Sequence, residues 1–198
     1  MMTDDASPRR GIRLLRRALV AVVAVVVSMS LTGCAAQRRA LGVAGDDTAY
    51  DSIDDADLMV GVVGSETTSS RDARIMDEMS RNGVRASYAN SSRTADPHVA
   101  SLAAVRDYAN RKVGAIVIMG MGFDEDRSGW SSVLEYARSS GVPVAVVDAD
   151  SVPRDASLIA ARLTVVADSG SDLAQTVTDV ANGRSSGGRI AVTGGEGW

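Results

Sequence analysis

The chain of 198 residues is poor in the side chains that do most enzymatic work, and each scarcity excludes something. It has one cysteine, Cys34, so no internal disulfide can form. It has one histidine, His98, which cannot build a zinc site alone and stands one residue after Pro97 in the first turn of an expected helix, away from the loops that hold the serines. No GxSxG elbow on a strand-to-helix turn occurs, since the one GxSxG spacing, Gly183 to Gly187, lies between a helical pattern and a strand, and there is no GxGxxG fingerprint or GxxxxGK[ST] phosphate loop. Gly120-Met121-Gly122 offers only a GxG, with Glu125 where a third glycine is needed. Asp148 ends an apolar run as a Walker B aspartate does, but there is no phosphate loop for it to serve. Asp124, Glu125 and Asp126 read as a solvated acidic loop, although they could bind a hard cation. The expectation is a protein that is not an enzyme, with no metal and no cofactor. Lysine is also scarce, with Lys112 alone beside twenty arginines.

What is present begins with an address. Arg9, Arg10, Arg13, Arg16 and Arg17 precede an apolar run from Ala18 that continues to Leu31, the layout of a secretory signal. At about 14 residues the run is shorter than the roughly 20 needed to span a bilayer core. Leu31-Thr32-Gly33-Cys34 resembles the lipobox of bacterial lipoproteins, in which a cysteine becomes the lipid-bearing N-terminus. A single-pass anchor and a chance Gly-Cys are the alternatives. On the lipobox reading residues 1–33 are a signal peptide, Cys34 is the lipidation site, and two acyl chains hold the protein on the outer face of the cell membrane. Without residues 1–33 the chain keeps 16 basic and 23 acidic side chains, a formal net charge of −7, which argues against nucleic acid as a partner.

Residues 34–57 are polar and acidic, with Asp46, Asp47, Asp51, Asp54, Asp55 and Asp57 close together, and read as a flexible tether. EF-hand spacing is absent. From Leu58 onward short apolar runs alternate with helical patterns. Strands are expected at Leu58 to Val63, Val84 to Tyr88, Gly114 to Met119, Val142 to Val147, Leu163 to Ala167 and Arg189 to Thr193. Helices are expected over 70–82, from Asp96-Pro97 to Arg111, over 131–140 and over 171–181. Strands apolar on both faces, alternating with helices, predict an α/β fold: a doubly wound parallel sheet covered on both sides. In such a sheet a ligand sits beyond the C-terminal ends of the strands.

The order of these elements resembles a family. Ala115 to Ile118, the run Gly141-Val142-Pro143-Val144-Ala145-Val146-Val147-Asp148, then Asp168-Ser169-Gly170 and Gly188 to Gly194, are similar to the ribose-type periplasmic binding proteins, which share their lobes with the LacI regulators. The resemblance covers about Leu58 to Trp198 and implies an N-terminal lobe over 58–168, with 169–198 opening a second, incomplete lobe. It implies a sugar or similar polar solute as ligand, an ABC transporter permease as partner, and contacts from Ser65, Glu66, Asp148 and Asp168. The sequence departs from that family in three places. No aromatic ring lies between Gly64 and Ser70, Ala149 follows Asp148 where an arginine is usual, and Arg106 stands where a glutamine is common. A degenerate lipoprotein without ligand binding, and an extracytoplasmic enzyme on a flavodoxin-like domain, are the other readings.

Overall fold

Valine, isoleucine and alanine in runs of four to six cannot hide both faces of a strand without a layer on each side, and that requirement sets the architecture. The computed structural model describes residues 58–65, 68–167, 170–185 and 188–193. The strands are β1 (Met59–Gly64), β2 (Arg85–Asn90), β3 (Ala115–Met119), β4 (Val144–Val147), β5 (Ala161–Val166), β6 (Ser171–Asp172) and β7 (Arg189–Thr193). Among the described residues they form one sheet in the order β2-β1-β3-β4-β5-β7-β6, and every pairing is parallel. The helices are α1 (Ser69–Arg81), α2 (Pro97–Asn110), α3 (Arg127–Ser139) and α4 (Leu173–Ala181).

Alternate residues of the central strands feed two separate cores. Val60, Val62, Val117, Ala145 and Val147 pack with Ile75 and Met79 of α1 and Leu173, Val177 and Val180 of α4. Ile116, Ile118, Val144 and Val146 pack on the other face with Val105 and Tyr108 of α2 and Trp130, Val133 and Leu134 of α3. Helix starts follow local chemistry. Asp96, Asp126 and Asp172 each accept a hydrogen bond from the backbone N–H three residues on, at 3.0, 2.8 and 2.7 Å, which satisfies a donor that the first turn leaves unpaired.

Three elements differ from the sequence expectation. Helix α3 starts at Arg127 rather than 131, because Asp126 supplies the cap. Residues 171–172 are strand, and the helix begins only at Leu173. The third difference is larger. Across residue 168 the sheet continues, with β7 paired to β5 over five residues and α4 on the same face as α1. Nor do the described residues cover the sheet throughout. The β4–β5 connection contains a single 3₁₀ turn, Ala156–Leu158, instead of a helix. Leu163 and Val192 are buried against α4, while Thr164, Arg189 and Ala191, on the opposite face, are exposed. The alternation of polar and apolar residues in Ala161–Val166 suits a strand covered on one side only.

Buried and exposed helix positions should respond differently to truncation. Leu134→Ala, at a fully buried site, is expected to cost about 2–5 kcal/mol. Val99→Ala, at a side chain 57% exposed, should change stability by no more than about 0.5 kcal/mol. Urea denaturation of the two variants checks the contrast.

Candidate functional site

All strands being parallel, their C-terminal ends share one edge, and the strand order reverses between β1 and β3, where a doubly wound sheet opens a crevice. Ser65 follows β1 at this edge and is half-buried. Its backbone carbonyl accepts from the Thr68 N–H at 3.3 Å, and its hydroxyl lies 2.9 Å from Thr68 Oγ1. Thr68 packs across the crevice onto the loop after β3. A side chain at Gly120, where φ is +50°, would meet the Thr68 methyl at 2.3 Å, so this glycine lets the two loops close on each other.

One turn further, Asp72 is buried in the first turn of α1, only 1% exposed. Its Oδ2 accepts from Tyr88 Oη at 2.6 Å and from Thr68 Oγ1 at 3.1 Å, while Oδ1 has no partner among the described residues. Gly64 makes the arrangement possible, since a Cβ there would lie 2.1 Å from Asp72 Oδ2 and 2.2 Å from Tyr88 Oη. Burial pushes the Asp72 carboxyl above its ordinary value, and the Tyr88 and Thr68 hydrogen bonds oppose that shift without cancelling it. Burial, with Asp72 alongside, also pushes the Tyr88 hydroxyl up.

Asp148 leaves β4 with φ at +44°. Its N–H donates to the Leu163 carbonyl at 3.0 Å, and its Oδ1 accepts from Val165 N–H at 3.0 Å, so the side chain is tied to β5. Its Oδ2 faces Arg71 Nη1 at 3.4 Å. Ser65 and Asp148 are thus linked through consecutive residues of α1, Asp72 on one side and Arg71 on the other. Cys34, Glu66 and Asp168 lie outside the described residues.

Arg71, Asp72 and Tyr88 are not among the residues singled out from sequence. Asp72 nevertheless leaves a sequence signal, because it falls three and seven positions before Ile75 and Met79, on the apolar stripe of α1. The acidic loop 124–126 is used locally. Asp124 pairs with Arg127 at 2.7 Å, and Asp126 caps α3 while facing His98 Nε2 at 3.4 Å. His98 also meets the Trp130 ring edge-on, with ring centroids 5.8 Å apart, which places it in the α2–α3 contact.

No family model and no curated protein matches this chain. Among solved structures, it is similar to a Mycobacterium smegmatis protein in complex with β-D-fucofuranose, at 19% identity and a TM-score of 0.46, over 55% of this chain and 34% of that one. It is similar to the periplasmic binding protein of the arabinose ABC transporter from Shewanella sp. ANA-3, bound to L-arabinofuranose, at 20% identity and 0.44, over 68% and 54%. It is also similar to an ABC transporter solute-binding protein from Bacillus halodurans C-125 with bound myo-inositol, at 13% identity and 0.41, over 71% and 57%. The chain thus spans between about a third and just over half the length of these structures.

The buried carboxyl supplies a test. An acid whose folded pKa is raised holds its proton more firmly in the native state, so its contribution to stability falls as pH rises from the ordinary 3.8 through the folded value. Wild type is expected to lose stability relative to Asp72→Asn over that interval and not to regain it at higher pH. Urea midpoints measured across the acid range check the sign.

Proposed function

We propose that this chain is a solute-binding protein tethered to the extracytoplasmic face of the cell membrane through Cys34, taking a sugar or similar polar small molecule and passing it to the permease of an ABC importer. The observation that carries the reading is the set of oriented polar groups at one sheet edge. The Asp148 carboxylate is held by the Val165 N–H, and Arg71 and the Ser65–Thr68 hydroxyls stand beside the same crevice. Sugars are bound by carboxylates that accept hydroxyl hydrogens and by guanidinium groups that donate to ring and hydroxyl oxygens, and such groups act best when fixed beforehand. The Asp148 carboxylate retains lone pairs for a hydroxyl, and its Arg71 contact is long enough to yield to one. Glu66 and Asp168 belong to the same proposal on the sequence resemblance.

Tethering suits such a role, because a carrier confined near the membrane meets a permease at a raised effective concentration. A lipoprotein that binds nothing is favoured by one observation, that both Asp148 oxygens are already engaged within the fold.

Two measurements decide. Thermal unfolding of the purified full-length chain against a panel of neutral pentoses, hexoses and inositols should show one saturable stabilisation, about 2.7 kcal/mol at a hundredfold excess over Kd. Arg71→Ala and Asp148→Asn should each weaken it about tenfold or more. No shift with any member of the panel favours the non-binding lipoprotein. For the anchor, incorporation of an alkynyl fatty acid in a bacterial host is expected for the parent and lost in Cys34→Ala, and label retained in that variant removes Cys34 from the proposal.

A further inference from the structure

The helix-free β4–β5 connection leaves a cavity of about 300 Å³ beside the side of β5 that no described residue covers, lined by Val146, Asp148, Ala149, Arg162, Thr164 and Arg189 among others. Arg162 and Arg189 are register partners on adjacent parallel strands, so their side chains leave the sheet side by side on one face. Neither guanidinium has a hydrogen-bond or ion-pair partner among the described residues. The nearby carboxylate of Asp148 is turned to Val165 N–H and Arg71. Two like charges directly opposite each other on a sheet repel. Here they persist in a chain whose overall balance is acidic.

We propose that this groove is a binding site for a small solute bearing an oxyanion, a phosphate or carboxylate group, gripped between the paired guanidiniums of Arg162 and Arg189. Each guanidinium presents a planar fork that matches two oxygens of such a group, and one anion shared between them converts a repulsive pair into two charge-assisted contacts. The Thr164 hydroxyl, one alternation along β5 from Arg162, adds a neutral donor on the same wall. Val146 and Ala149 give the apolar floor expected of a small-molecule groove, and the volume is at the small end of such sites. The site lies on the face of the sheet rather than at the crevice between β1 and β3, with Asp148 bordering both, and its argument rests on the two arginines and not on the sugar reading.

The test uses the full-length chain in detergent, with thermal unfolding in sodium phosphate or sodium glucuronate against sodium chloride at equal ionic strength. Phosphate and glucuronate are each expected to raise Tm saturably above the chloride control. Arg189→Gln should abolish that rise, and Arg189→Lys, which keeps the charge but not the fork, should retain part of it. In chloride alone Arg189→Gln should unfold about 1–4 °C above the parent, because it removes the repulsion. The proposal is overturned by a phosphate response no larger than that of chloride, or by one that survives intact in Arg189→Gln. Neutral sugars separate the two sites, since a response to them that is lost in Arg71→Ala and kept in Arg189→Gln belongs to the strand-end crevice.

Discussion

The fold depends on one constraint: β1, β3 and β4 carry no polar face. A strand such as Ala-Ile-Val-Ile-Met over 115–119, with all five residues buried, is stable only between two helical layers. Parallel pairing satisfies this because the crossovers that lead into β2, β3, β4 and β7 each lay a helix on one face or the other. It also collects every strand's C-terminal end at a single edge. The polar groups of the candidate site therefore sit together for the same reason that the core is closed. The site is an outcome of connectivity, and Ser65 and Asp148, 83 positions apart in the chain, share an edge without any local sequence relation.

Within that frame the buried Asp72–Tyr88 pair locks α1 to β2. A carboxyl taken out of water is costly unless it accepts hydrogen bonds, and it has two here, on one oxygen. Gly64 leaves the space, and Ser91 Oγ donates to the Gly64 carbonyl at 2.9 Å to hold the end of β1. The turn that carries Arg71 is therefore fixed from beneath. An arginine on so firmly seated a turn reaches Asp148 from a defined position, although its side chain is 43% exposed and the pair is open to screening by solvent.

Much of this was legible in the sequence, and what was hidden has identifiable causes. Two-sided apolar strands and amphipathic helices exposed the α/β class, and Arg189 to Thr193 was placed to the residue. The start of α3 was missed because Arg127, Ser128 and Gly129 are poor helix signals, and only the Asp126 side chain overrides them. Asp148 was identifiable as a strand-end acid, but its bond to Val165 N–H depends on a positive φ that composition does not reveal. Arg71 and Tyr88 gain their meaning only from partners 77 and 16 positions away. Nor could a family likeness show that β7 would lie against β5, because the pairing depends on which strand edge is left open.

That open edge has a further consequence. In the β5–β7 ladder the backbone groups of Ile190 and Val192 face β5, so those of Arg189 and Ala191 point outward. Among the described residues only the two-residue β6 covers that outer side, and it meets β7 at Val192 and Thr193. At the start of β7 the outward backbone groups of Arg189 thus have no strand beside them among the described residues, the kind of template on which identical chains assemble strand against strand. Its brevity and the charge of Arg189 work against such stacking. The same arginine that repels its neighbour across the sheet keeps other copies of the chain from extending it.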